Sequence, residues 1–115
     1  MKWLVNFGRR TVVTLSLLSG SGIALAWDGV IQGVPTQIDV TDGADLGFRV
    51  YVAAPTGGSG WCSLSYNWAY LNSTDSNYSA YVAAVLMAKA TGSSVLIYQT
   101  RDANGFCHIG YLAAL

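Results

Sequence analysis

Asp75-Ser76-Asn77-Tyr78-Ser79-Ala80-Tyr81-Val82-Ala83-Ala84-Val85-Leu86-Met87-Ala88-Lys89-Ala90-Thr91-Gly92 is the stretch whose reading decides the fold. It carries the only clear helical pattern beyond residue 26. Asp75 or Ser76 is expected to accept a hydrogen bond from the first unpaired amides, and Gly92 to end the helix in a left-handed conformation. At about 100° per residue, Tyr78, Tyr81, Val82, Val85 and Leu86 fall on one arc. The opposite side holds Ala80, Ala83, Ala84, Met87, Ala88 and Ala90, and Lys89 is the only charge between Asn77 and Thr91. The bulky arc is expected to plug a core. The flat side, Ala80, Ala83, Ala84, Met87 and Ala88, lacks polar groups and is the candidate face for a second copy of the chain.

The segments on either side of the helix read as strands. Val30 to Val34 forms a first strand interrupted by Pro35, with Gln37 to Val40 continuing it beyond a bulge. Thr41-Asp42-Gly43-Ala44-Asp45 is a turn, in which Asp-Gly is expected to supply positive backbone angles. In Leu46 to Ala54, Leu46, Phe48, Val50 and Val52 alternate with Gly47, Arg49, Tyr51 and Ala53, which predicts a half-buried second strand. Pro55 to Gly60 has the composition of a flexible loop. Cys62, Leu64, Tyr66, Trp68 and Tyr70 alternate with Ser63, Ser65, Asn67 and Ala69, which predicts a third strand with its aromatic side in the core. After the helix, Val95 to Tyr98 is a fourth strand and Arg101 to Gly105 a hairpin loop. Phe106 to Leu112 returns as a fifth, with Cys107, Ile109 and Tyr111 on one face. The result is mainly β with one helix, in the order strand-strand-strand-helix-strand-strand. That order matches an OB-fold-like five-stranded barrel, whose helix lies between strands three and four.

Residues 1–26 read differently. Lys2, Arg9 and Arg10 precede an apolar run from Thr11 that ends in Ala24-Leu25-Ala26, the pattern of a cleavable export signal. The run is too short and too rich in Ser and Gly for a stable membrane span. Cleavage before Trp27 leaves 89 of the 115 residues as a single domain, 27–115, secreted or periplasmic. Its charges are Arg49, Lys89 and Arg101 against Asp28, Asp39, Asp42, Asp45, Asp75 and Asp102, a net −3. Without clustered Lys and Arg, nucleic acid is excluded as a partner. Cys62 and Cys107 both remain in the exported part and are expected to pair in an oxidising compartment. In the barrel topology the third and fifth strands, which carry them, are neighbours.

No catalytic grouping is apparent. There is one histidine, His108, no glutamate, and no Ser/His/Asp cluster. A metal site built on Cys62, Cys107 and His108 lacks a fourth ligand and the usual close spacing, so no metal and no cofactor are expected. The aromatic residues carry more information. Trp27, Trp61, Trp68 and seven tyrosines sit beside Asn, Asp and Ser. Ring faces that stack on a pyranose, with nearby amides and hydroxyls, make a sugar site. Trp27, Trp61, Ser65, Asn67, Asn72 and Asp75 are the ligand-binding candidates; Tyr66, Trp68 and Tyr70 are expected in the core. Asn72-Ser73-Thr74 and Asn77-Tyr78-Ser79 also match the N-glycosylation pattern.

A Trp-x-Gly start after the signal, the Trp68 strand, a helix with Tyr-Val-Ala-Ala-Val-Leu-Met-Ala-Lys-Ala-Thr-Gly before Val-Leu-Ile-Tyr, and a cysteine in the last strand form a recognisable layout. It resembles the B subunits of subtilase-cytotoxin and pertussis-like bacterial toxins, and small exported proteins of Gram-negative bacteria. The resemblance implies an OB-fold protomer in a homo-oligomeric ring that binds host or cell-surface glycans and carries an exported enzymatic subunit. It assigns no binding residue. The expectation is therefore a non-enzymatic, glycan-recognising module. The alternative is a periplasmic or surface structural or interaction protein of the same fold that binds no sugar.

Overall fold

Phe48, Val50 and Val52 are buried and alternate with half-buried or exposed Arg49, Tyr51 and Ala53, so the period-two pattern of the second predicted strand holds from Phe48 onward, while Leu46 is half-buried and Gly47 buried ahead of it. The computed structural model describes residues 27–115; the expected export signal lies outside them. Seven strands and one helix follow in order: β1 (Gly29–Gly33), β2 (Gln37–Val40), β3 (Phe48–Tyr51), β4 (Gly57–Gly60), β5 (Trp68–Leu71), α1 (Tyr78–Thr91), β6 (Val95–Arg101) and β7 (Cys107–Ala114). They form one sheet in the order β2-β3-β5-β7-β6-β1-β4. Neighbours are antiparallel except β5 and β7, which run parallel with Tyr70 opposite His108. The sheet is not closed by pairing between its end strands, β2 and β4. β1 and β2 follow one another across Val34-Pro35-Thr36, yet β1 pairs with β6 and β2 with β3.

Several expectations are corrected. Pro55 to Gly60 is not simply a loop, because Gly57–Gly60 pairs with β1 as an end strand. Its glycines permit a close approach: a Cβ on Gly58, at φ 94°, would strike the backbone of Val30 and Ile31. The positive backbone angle in the turn before β3 lies at Leu46 (φ 58°), not Gly43. The third strand begins only at Trp68. Residues 61–67 bend and turn ahead of it, and Leu64, expected inside, is fully exposed. This break reverses the parity. Val50 opposite Ala69 and Phe48 opposite Leu71 direct Ala69 and Leu71 inward, which leaves Trp68 and Tyr70 on the outer face. Tyr111 also leaves the face of Cys107 and Ile109. A register shift between Tyr98 and Gln99 inserts one extra residue of β7, and Tyr111 is 52% exposed.

The helix packs on the core through a narrower stripe than expected. Val85 and Ala88 are buried, and Tyr78, Tyr81 and Val82 pack against the core cluster. Leu86, assigned to the arc, is 48% exposed instead. The Tyr78 ring meets Phe48 edge-on at 6.4 Å, and the Tyr81 hydroxyl donates to the carbonyl of Gly110 on β7. Gly92 ends the helix at φ 71° with its N–H donating to the Ala88 carbonyl, as predicted. The start differs: Asn77, in a left-handed conformation, occupies the cap position without a side-chain bond. Asp75 lies outside the cap position, and its Oδ2 instead accepts from the Asn72 N–H and faces His108 Nε2 at 2.7 Å.

The expected disulfide is present. Cys62 and Cys107 are joined with Cα atoms 5.6 Å apart, although Cys62 precedes β5 rather than lying in it. Off the sheet, its buried backbone groups find side-chain partners. Its N–H donates to Gln99 Oε1 at 2.8 Å, and its carbonyl accepts from the Arg101 guanidinium. Gln99, fully buried, returns its amide to the Ile97 carbonyl at 3.1 Å. Gly29 permits this packing, since a Cβ there would strike the Cys62 amide and come within 2.7 Å of Gln99 Oε1. Replacing both cysteines by alanine is expected to lower stability by about 4 kcal/mol, the value for closing a loop of this length. Equilibrium urea denaturation of the double variant against the parent measures it.

Candidate functional site

The reversed parity of β5 creates the outer face. Across β3 and β5, Arg49 lies opposite Tyr70 and Tyr51 opposite Trp68; Tyr70 is in turn opposite His108 on β7. Trp68 is the hub of an aromatic cluster. Its ring centroid is 5.4 Å from Tyr66, 5.4 Å from Phe106 and 6.2 Å from Tyr51, and Tyr66 and Phe106 are 5.2 Å apart. The Arg49 guanidinium carbon sits 5.2 Å from the Trp68 ring centre while its Nε–H donates to the Leu46 carbonyl. At the rim, Asp39 accepts from Gln37 Nε2 and the Tyr51 hydroxyl, each at 3.0 Å. These two bonds hold the Asp39 carboxyl below its usual range. Burial, followed by the Asp39 bond, pushes the Tyr51 hydroxyl up.

Behind the cluster a polar row fixes the surrounding loops. The Tyr70 ring, 5% exposed, stacks on His108 at 4.9 Å, and its hydroxyl donates to Asp102 Oδ2 at 2.6 Å. Asp102 Oδ1 accepts the N–H groups of Asn104 and Phe106 at 2.8 and 2.9 Å, so this carboxylate shapes the hairpin that presents Phe106. Burial alone would raise the Asp102 carboxyl. The Tyr70 hydroxyl and the amides of Phe106, Asn104 and Gly105 outweigh it and hold the group low. Burial, then the bond to Asp102, pushes the Tyr70 hydroxyl well above its usual range. His108 is tied through Asp75 to the segment before α1, and Asn72 Oδ1 accepts the Leu46 N–H at 2.8 Å.

The six sequence candidates do not converge. Asn72 and Asp75 meet through the 2.8 Å bond from the Asn72 N–H, but both are engaged in holding loops. Ser65 and Asn67 are exposed and flank Tyr66 beside the cluster. Trp61 packs against the core. Trp27 belongs to a separate group: 44% exposed, it meets Tyr98 edge-on at 5.5 Å and fills the space above Gly110. Sequence reading missed Asp39, Arg49, Tyr51 and Phe106, and placed Trp68 inside. The alternation that puts Arg49 and Tyr51 together opposite Phe48 and Val50 was the usable signal; Phe106 carries none, since its place depends on how the hairpin returns.

Of the face assigned to a second copy, Ala80 and Ala83 are exposed, Met87 is 69% exposed and Ala84 is half-buried. Ala88 is corrected: at 3% exposure it belongs to the core, because it follows Val85 by three residues on the inward stripe. Between this helix end and the end of β7 lies a groove of about 290 Å³ lined by Ala84, Met87, Ala88, Thr91, Ser94 and Leu115. Among the described residues no helix is long and apolar enough to cross a membrane. No three His, Cys, Asp or Glu side chains converge there as a metal site. No family model, curated protein or solved structure matches the chain.

The polar row predicts a pH response of definite sign. With its folded-state pKa depressed, Asp102 contributes stability that is present above about pH 4 and is lost as pH falls through the folded value. Tyr70, raised, contributes stability that is present below about pH 10 and declines above it. Thermal denaturation across pH is expected to show Asp102→Asn flattening the acid limb and Tyr70→Phe the alkaline limb.

Proposed function

We propose that the chain is an exported, non-enzymatic binding module that recognises glycans through the outer face of β3, β5 and the β6–β7 hairpin. The observation that carries this reading is the aromatic cluster around Trp68, set on a sheet and rimmed by Asp39 and Arg49. A pyranose offers apolar ring faces to aromatic side chains and hydroxyls to polar ones, which is the mixture found here. An OB-like barrel is the proposed fold. If β1 and β2 are counted as one strand broken at Pro35, and the short β4 as an addition at the end of the sheet, the order becomes one-two-three-five-four-one. The helix then falls between strands three and four, and strands three and five run parallel. The Cys62–Cys107 bond agrees with an oxidising destination.

One observation favours the competing reading, a surface or periplasmic interaction protein that binds no sugar: Arg49 already lies over Trp68. Glycan-array binding separates the two. Binding to at least one class of glycan, reduced at least tenfold by Trp68→Ala with the circular dichroism of the parent retained, supports the module. Silence across a diverse array supports the interaction protein.

Self-assembly belongs to the same proposal and draws on the exposed Leu86, Met87 and Leu115 around the helix end. Sedimentation is expected to show an oligomer that Ala84→Glu converts to a folded monomer. A parent that is monomeric at high concentration removes assembly from the proposal, and with it the ring that a toxin-like enzymatic partner requires.

A further inference from the structure

Asp39 and Arg49 face one another across β2 and β3 at the rim of the aromatic cluster. Resting on the glycan reading above, we infer that this face takes a neutral saccharide bearing adjacent free hydroxyls, and discriminates against sugars that carry a carboxylate or sulfate.

The described residues include three cations, Arg49, Lys89 and Arg101, and two of them lie away from the cluster. Lys89 stands in the last turn of α1, and Arg101 donates into the Cys62 carbonyl on the other side of the hairpin. Arg49 alone borders the cluster. Its charge is offset by Asp39, whose field in turn acts on the same Tyr51 hydroxyl that Arg49 opposes. An anionic sugar at Arg49 would have to lie beside the Asp39 carboxylate, which Gln37 and Tyr51 hold on the neighbouring strand. Asp102 and Asp75 add two more negative groups behind Tyr70 and His108. In a domain of net charge −3, the surrounding field also disfavours an approaching anion.

The hydrogen-bonding capacity at the rim points the same way. A carboxylate has about four acceptor sites, and each Asp39 oxygen uses one, so both can accept again. A guanidinium has about five N–H donors, of which Arg49 gives one to Leu46. An acceptor and a donor side by side match two neighbouring hydroxyls, each of which gives one hydrogen bond and receives another. Two anionic oxygens would match the guanidinium but meet the carboxylate with no proton between them. The neighbouring rings of Tyr51, Trp68 and Tyr66 supply the apolar side of the contact.

The test compares neutral oligosaccharides of glucose and galactose with oligosaccharides of the same length that carry a uronic acid or a sulfate, titrated against the intact domain by calorimetry. The expected result is tighter binding of a neutral sugar, nearly unchanged between roughly 0.05 and 0.5 M salt. Asp39→Asn is expected to weaken it about tenfold or more, as for loss of a charged hydrogen-bond acceptor. Preference for the acidic sugars, with affinity falling as salt rises and improving in Asp39→Asn, overturns the inference but keeps the glycan reading. Absence of binding to either set, with the parent fold verified by circular dichroism, overturns both. Arg49→Gln gives an independent arm: a moderate loss for a neutral ligand agrees with the inference, and abolition confined to acidic sugars contradicts it.

Discussion

The covalent and polar ties around Cys62 hold this domain's most irregular segment in place. Cys62 is 1% exposed yet pairs with no strand, so its backbone N–H and carbonyl must be satisfied without a ladder. Gln99 and Arg101, both from β6, supply those bonds, and Cys107 on β7 supplies the covalent one. Each buried backbone group left unpaired would cost about 1–3 kcal/mol, so the three ties act together. They determine where residues 61–67 leave the core and where β5 begins, and therefore which face Trp68 occupies. The fully buried glutamine is tolerated because both ends of its amide are bonded.

Much of the fold was legible in the sequence because local chemistry and tertiary structure agree there. Phe48, Val50 and Val52 alternate inward as their pattern requires, Gly92 ends the helix, Asn104-Gly105 turns the last hairpin, and the two cysteines pair. The failures share one physical cause. Cys62 to Tyr70 alternates as well as any strand, but residues 61–67 are not extended, and a break within an alternating run changes which residues face inward. The single-residue bulge near Gly110 did the same to Tyr111. Period-two patterning identifies the two sides of a strand but carries no mark of where pairing starts, and that is fixed here by a disulfide 45 residues long and by Gln99.

The candidate site suffered most from this, because it consists of the residues whose side was misassigned. Tyr70 shows why an aromatic residue near Leu71 could be read as core. It is almost as buried as the core residues, but the cover comes from His108 on the outer face rather than from the core side of the sheet. Its hydroxyl needs a partner once buried, and Asp102 provides one. A core position would have offered none, since the cluster inside is apolar apart from Gln99.

The outer face divides into groups that are already committed and groups with capacity left. Asp102 is bonded to Tyr70, Asn104 and Phe106; Asp75 faces His108 and accepts from Asn72; Asn72 holds Leu46. These contacts order the hairpin and the segment before α1 without a ligand, so binding would not have to order them. Asp39 and Arg49 are held by one bond per carboxylate oxygen and one at Nε, and retain further acceptors and donors. Rigid rings between ordered loops, with spare hydrogen-bonding capacity at the Asp39–Arg49 rim, favour a ligand that is flat on one side and hydroxylated at its edge. The same arrangement gives a long apolar peptide little to grip, because the exposed part of the face is bounded by charges on β2 and β3 rather than by a continuous groove.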